Sequence, residues 1–257
     1  MKYIIKTLKD KKFLIFPELL DIGLYHCFTT ADMDMGLKTN GSVESIRENL
    51  AIIYEVMGKE PRELFSGFQT HTDHVAIVSS IDDGSYYAAG KYFMETDGLI
   101  TDIPNIALAT RFADCTPILL FDPVKRVHGN IHSGWKGSLK EIGGKAVDKM
   151  VEEYNSNPQD IIVILGPAIG KDDFEVDIDV MQLFKEKFMF HDDVITRKND
   201  IKYCIDLKEI IKRTLMDKGI GKNNIHSVDI STFKDPNLHS YRRDKDAFGQ
   251  MACLTMI

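Results

Sequence analysis

The chain has 257 residues, 44% hydrophobic and 28% charged, the balance of a soluble globular protein rather than a disordered or fibrous one. Its formal net charge of −7 argues against nucleic-acid binding by bulk electrostatics, so an anionic substrate has to be met by a local group of cations or backbone N–H donors. No apolar run approaches the roughly 18 residues of a membrane span, and the lysine-interrupted N-terminus lacks a signal-peptide core. Four cysteines in a chain of this length do not make a disulfide framework, and a cytoplasmic location is the default expectation.

In chain order, short strands are predicted at 13–16 and 24–28. A helix follows over 43–57, where Val43, Ile46, Leu50, Ile53 and Met57 recur at three- and four-residue steps. Ser42 serves as its N-cap, Gly58 lies past its end, and its polar face carries Arg47 and Asn49. Further strands are predicted at 64–68, 75–78, 106–111, 118–121 and 127–131. A helix over about 139–154 comes next, with Ser138 and Glu141 at capping-box spacing. A buried strand at 161–165 runs into Gly166-Pro-Ala-Ile-Gly170. Two more helices are expected near 179–188 and 207–217, the latter opened by Asp206 and Glu209. No repeat or linker divides the chain, so residues 1–257 read as one domain. Strands alternate with helices but also occur in runs, which favours an α/β (α+β) sandwich of mixed β-sheets with flanking helices.

Reactive side chains gather in three separated segments: Gln69-Thr-His71-Thr-Asp73-His74, Arg111-Phe-Ala-Asp114-Cys115-Thr-Pro117 and Asn130-Ile-His132-Ser-Gly134-Trp135-Lys136-Gly137. Imidazole and thiolate are preferred zinc ligands, and three protein ligands leave a fourth position open. The same residues also read as a buried cysteine beside two ordinary histidines. A third reading is a thiolate–imidazolium pair of Cys115 and His132, oriented by Asp114 or Asn130. His74 competes with His71 as a ligand; in an extended segment the two point to opposite faces. Residues 134–137 precede a predicted capped helix, whose N–H groups and Lys136 suit an anion, and Arg242 with Arg243 suits phosphate or carboxylate. Cys27, Cys204 and Cys253 are expected as buried small side chains, and the other histidines as structural or surface residues.

Taken together, Thr96-Asp97-Gly98, Ala113-Asp114-Cys115-Thr-Pro117 and His132-Ser-Gly134-Trp135-Lys136-Gly137, in that order, resemble the laccase-domain family. That family is also labelled polyphenol oxidase or purine nucleoside phosphorylase, and its bacterial members include the peptidoglycan editing factor. The resemblance runs from about Leu24 to the C-terminus. It implies a cysteine-hydrolase-like sandwich and a metal site of His71, Cys115 and His132, with His74 excluded. It also implies zinc-dependent phosphorolysis of adenosine, guanosine, inosine or methylthioadenosine, with adenosine deamination beside it. Asp114 and Cys115 then stand as catalytic candidates, and Arg47, Asn49, Gln69, Lys136, Arg242 and Arg243 as candidates for nucleoside and phosphate. The implied partners are purine nucleosides and phosphate; charge and hydropathy speak against nucleic acid and membrane, and no partner protein is inferable. The chain departs from the family at Gly170-Lys-Asp-Asp-Phe-Glu-Val176, which lacks two cysteines, at Ser231-Thr-Phe233 and at Asp34-Met-Gly36. Without a second Cys/His-rich motif, copper is less favoured than zinc. A copper phenol oxidase, a cysteine hydrolase acting on peptidoglycan precursors and a non-catalytic zinc-binding protein remain as other classes.

Overall fold

The computed structural model describes residues 1–40 and 42–257. Two mixed sheets lie face to face. The larger has eight strands, in the order Ile4–Leu8, Lys11–Ile15, Tyr25–Thr29, Met251–Met256, Ile106–Phe112, Glu63–Gly67, Gly90–Phe93 and Ser85–Tyr87. The second has six, in the order Ile225–Ser227, Ile162–Leu165, Thr116–Asp122, Val127–Ser133, Gly98–Thr101 and Val75–Ile77. A third sheet of three short strands (Glu175–Asp177, Lys202–Ile205, Ile195–Arg197) packs with helix Ile178–Lys187.

Side-chain alternation explains the layers. In the larger sheet Phe13, Ile15, Cys27, Ala252 and Leu254 face helix Val43–Met57, while Leu14, Phe28, Met251 and Cys253 face the second sheet. Leu119, Phe121 and Ile164 meet them there. The second sheet turns Ile118, Leu120, Ile131 and Val163 outward onto helices Ile142–Tyr154 and Leu207–Asp217. The strands predicted at 106–111 and 118–121 are Ile106–Phe112 and Thr116–Asp122, each buried along its whole length. The expected mixed α/β sandwich with flanking helices is the fold observed. No helix among the described residues is long and apolar enough to cross a membrane.

The helix expected over 139–154 is two helices, Trp135–Leu139 and Ile142–Tyr154. Glu141 between them has φ 58°, outside the right-handed helical region. Ser138 is therefore no N-cap. It lies inside the first helix, and its Oγ donates to the Gly134 carbonyl at 3.1 Å. Residues 135–137, expected as a loop, are the first turn of that helix.

Two histidines are built into the core as neutral rings. His26 Nε2 accepts from the Phe16 N–H at 2.9 Å, and its Nδ1–H donates to the Leu24 carbonyl at 3.0 Å. His128 is fully buried and meets Thr255 Oγ1 at 2.9 Å. Burial lowers His26 to about 4 and, with Arg126 nearby, lowers His128 to about 3. Both folded values lie below the ordinary 6.5 or so, so between the two the unfolded chain binds more protons. Their stabilisation is complete above pH ~6.5 and is lost progressively as pH falls from there, until about 4 for His26 and about 3 for His128, at up to about 1.4 kcal/mol per pH unit for each ring. The urea midpoint should therefore drop steadily from pH 7 to pH 5; a flat midpoint would count against neutral burial of these rings.

Candidate metal centre

The site forms where three connections converge at one end of the sandwich. His71 sits in the connection between strands Glu63–Gly67 and Val75–Ile77, with φ 62°. The segment is bent, so the objection that positions 71 and 74 oppose each other in a strand does not apply. His74 turns away, with Nδ1 at 3.0 Å from Thr96 Oγ1. Cys115 follows Asp114 at the turn joining Ile106–Phe112 to Thr116–Asp122, and Asp114 has φ 88°. His132 lies at the end of Val127–Ser133. Antiparallel pairing of Thr116 with Ser133 and of Pro117 with His132 brings the Cys115 turn beside Gly134.

Cys115 Sγ lies 3.7 Å from His71 Nε2, and one donor atom each from His71, Cys115 and His132 falls within 4.8 Å of the others. The two imidazole centroids are 5.1 Å apart. Gly134 floors the site: a Cβ there would stand 2.6 Å from His71 Cδ2 and 3.1 Å from Cys115 Sγ. Two imidazole nitrogens and a sulfur converging over a residue with no side chain suit a metal ion. This is the only group of three or more His, Cys, Asp or Glu donors of that kind among the described residues.

Asp97 underlies the cluster. Its Oδ1 accepts from His132 Nδ1–H at 2.9 Å and from the His71 N–H at 3.1 Å. Its Oδ2 accepts from the Thr72 N–H and Oγ1–H, both at 2.7 Å, and from the Thr70 N–H at 3.2 Å. Burial alone would raise this carboxyl, but His132 and Thr72 hold it well below the usual carboxylate range. Burial also opposes charge on Cys115 and on His132. Their mutual attraction prevails, drawing the thiol down and, with Asp97, the imidazole up.

Several other candidate residues serve the framework. Asp114 was expected to orient the Cys115–His132 pair or to act as a catalytic residue. Instead, its Oδ1 accepts from Thr232 Oγ1–H and its Oδ2 from the Arg242 N–H, each at 2.6 Å. Asn130, the other expected orienter, is engaged with Thr110, Leu108 and Cys253. Gln69 forms a two-way amide pair with the backbone of Arg111, at 2.7 and 2.8 Å, which ties the His71 segment to strand Ile106–Phe112. Arg243 was expected at an anion. Its guanidinium instead donates to the carbonyls of Thr232, Phe233, Asp235 and Leu238 and to the Asp244 carboxylate.

Arg242 differs from Arg243. One N–H group donates to the Glu175 carbonyl at 2.8 Å, its plane lies over Phe174, and no further bond to it is present among the described residues. Lys136 extends over the Trp135 ring. Asn49 donates to the Asp34 carbonyl at 3.3 Å. Arg47 donates to the Ala88 carbonyl at 3.0 Å in a separate surface cleft with Tyr54, Glu63 and Tyr86. Asp97 and Gly134 were missed as site-builders in the sequence because each reads there as an ordinary turn residue.

Comparison with known proteins agrees with this picture. A protein-family model described as multi-copper polyphenol oxidoreductase laccase matches residues 25–257. Purine nucleoside phosphorylase YlmD of Bacillus subtilis is 33% identical over 224 residues, covering 85% of this chain and 80% of that protein. A purine nucleoside phosphorylase of Clostridium acetobutylicum is 30% identical over 252 residues, covering 97% and 94%. The crystal structure of the hypothetical protein YfiH of Bacillus licheniformis superposes with a TM-score of 0.88 at 28% identity, covering 95% of this chain and 96% of that one. YlmD of Geobacillus stearothermophilus shares the fold at the same TM-score, with 24% identity and 99% coverage of each chain. A sandwich of this topology, with its His–Cys–His cluster at the convergence of three loops, belongs to the laccase-domain family of multi-copper polyphenol oxidoreductase laccases, in which curated relatives bear the name purine nucleoside phosphorylase.

Proposed function

We propose that this protein is a zinc-dependent purine nucleoside phosphorylase. It would convert adenosine, guanosine, inosine or methylthioadenosine, with phosphate, to the free base and the corresponding ribose 1-phosphate, and would deaminate adenosine as a second activity. The observation that carries this reading is the His71–Cys115–His132 cluster, the one such group among the described residues, in a chain whose relatives are named purine nucleoside phosphorylase. Zinc suits two imidazoles and a thiolate. Several copper sites would need further His/Cys groups, whereas Cys27, Cys204 and Cys253 are buried and separate.

Zinc held by His71, Cys115 and His132 would supply Lewis acidity. The chain itself supplies the rest. Cys115 contributes a thiolate, and Asp97 leaves His132 Nε2 free to face the cluster. Arg242 presents its free N–H groups to the phosphate, on a backbone that Asp114 fastens beside Cys115. Arg242→Ala should raise the phosphate KM roughly tenfold, in line with the ~1.5–3 kcal/mol of a hydrogen bond to a charged group. Arg243→Ala should mainly lower the melting temperature, since it strips donors from four backbone carbonyls. Equal phosphate KM effects from the two variants would reject this division of labour.

The test incubates purified, metal-analysed protein with inosine or adenosine, with and without phosphate, and resolves the products by chromatography. Hypoxanthine and ribose 1-phosphate from inosine, only with phosphate and zinc, are expected; adenosine should also yield inosine. Absence of all products from zinc-loaded protein overturns the proposal. A second reading has one observation in its favour: Cys115, His132 and Asp97 also have the order of a thiolate, imidazole and carboxylate triad. A cysteine hydrolase would keep its activity in chelator and lose it on thiol alkylation of the metal-free protein.

A further inference from the structure

We propose that Asp97 is the positioning residue of the metal centre, its one carboxylate setting both the tautomer of His132 and the bend that carries His71. The inference deepens the metal-site reading above and rests on it.

Five donors converge on this side chain, which is fully buried. One is the His132 Nδ1–H. The other four come from residues 70–72, three of them backbone N–H groups in the segment where His71 takes its left-handed φ of 62°. The backbone of Asp97 joins the same two elements. Its carbonyl accepts from the His132 N–H at 2.6 Å, and its N–H donates to the His74 carbonyl at 3.1 Å. Two imidazoles from separate parts of the chain are thus referred to one group.

The chemical consequence concerns a single proton. A carboxylate can only accept, so the His132 proton must sit on Nδ1, which leaves the Nε2 lone pair for a metal. An asparagine has nearly the same shape. Its amide oxygen at the Oδ2 position can still serve the Thr70 and Thr72 donors, but the amide nitrogen at the Oδ1 position must donate to His132 Nδ1 and leaves the His71 N–H without its acceptor. The ring proton then moves to Nε2 and covers the lone pair. Asp97→Asn is therefore expected to keep the fold, through the Thr70 and Thr72 bonds, while weakening the metal site at both imidazoles. A merely structural role would not produce that pattern.

Zinc affinity of the wild type, Asp97→Asn and Thr72→Val is measured by competition with a chromophoric chelator. NMR of ring-¹⁵N histidine in the zinc-loaded wild type reads which nitrogen binds. Asp97→Asn should bind zinc roughly 10–100-fold more weakly, the loss typical when a carboxylate behind a histidine ligand is removed. Thr72→Val removes one loop donor without touching the tautomer and should change affinity by less than about threefold. His132 should coordinate through Nε2 and retain a protected Nδ1–H. Unchanged affinity in Asp97→Asn, or coordination through Nδ1, overturns the proposal. The wild-type NMR decides the matter even if the variant does not fold. Tight zinc binding by a wild type that turns over no purine nucleoside would sink the phosphorylase reading and leave this inference standing.

Discussion

Cys115→Ser should lose stoichiometric zinc, and its nucleoside phosphorolysis should fall by about 10³-fold or more, some 4 kcal/mol of transition-state stabilisation. The serine hydroxyl stays protonated at neutral pH and is a far weaker ligand than a thiolate. Only the two imidazoles of the three donors would remain. The substitution also removes the negative charge that, with Asp97, draws the His132 imidazole pKa up. His71→Ala should have the same effect, because its ring completes the set from the third loop. A thermal readout makes the loss independent of turnover. Zinc at ~1,000 times its Kd adds about 4.1 kcal/mol to the stability of a protein that binds it only when folded. For a chain of this size that corresponds to roughly 8–16 °C in Tm. The wild type should show this rise, and Cys115→Ser should show almost none. Cys204→Ser, where the thiol only donates to the Asp172 carbonyl at 3.4 Å, should respond to zinc as the wild type does. An equal zinc-induced rise in Cys115→Ser and wild type would remove Cys115 from the metal centre.

The parts of the fold that could be read from the sequence are those whose signal is local. Helix Val43–Met57 has both a regular apolar stripe and real caps: Ser42 Oγ accepts from the Ser45 N–H, and Gly58 closes the helix with φ 79°. Helix Leu207–Asp217 begins where Asp206 accepts from the Glu209 N–H, as its spacing implied. Strand Met251–Met256 was missed although it lies in the middle of the larger sheet, between Tyr25–Thr29 and Ile106–Phe112. Its burial comes from strands more than 100 residues away, and Met-Ala-Cys-Leu-Thr-Met alternates in no way that separates strand from tail. Ser138 and Glu141 carried a capping pattern, yet an intervening helix uses Ser138 to bond backward to Gly134. In the site, His71, Cys115 and His132 stood out by residue type. Asp97 did not, because its part depends on the 70–72 segment folding back over it. Arg243 misled for the opposite reason: four carbonyls that consume its donors belong to a loop whose path no local pattern reveals.

Gly67→Ala should lower stability by about 3 kcal/mol, near the upper end for added volume in a packed interior, and Tm by roughly 6–12 °C. Gly67 ends strand Glu63–Gly67, where the Thr96-Asp97-Gly98 turn crosses it. A Cβ at 67 would collide with the Thr96 carbonyl oxygen and stand 2.8 Å from the carbonyl carbon. Backbone cannot swing aside as the end of a lysine can. The turn is further pinned by the Thr96 N–H donating to the Phe68 carbonyl and by fully buried Thr96, so relief requires moving the whole turn. Asp97 would move with it, away from His132 and from the three N–H groups around His71. Gly67→Ala should therefore lower zinc affinity as well as Tm. Gly58→Ala supplies the contrast. It imposes a side chain on a left-handed φ at a helix end where a Cβ meets nothing, so it should cost only about 1 kcal/mol. Its zinc affinity should match the wild type, because no strand or turn of the metal centre passes near it. If Gly67→Ala melts and binds zinc like the wild type, the turn carrying Asp97 is free to shift, and the close approach at Gly67 does not set its position.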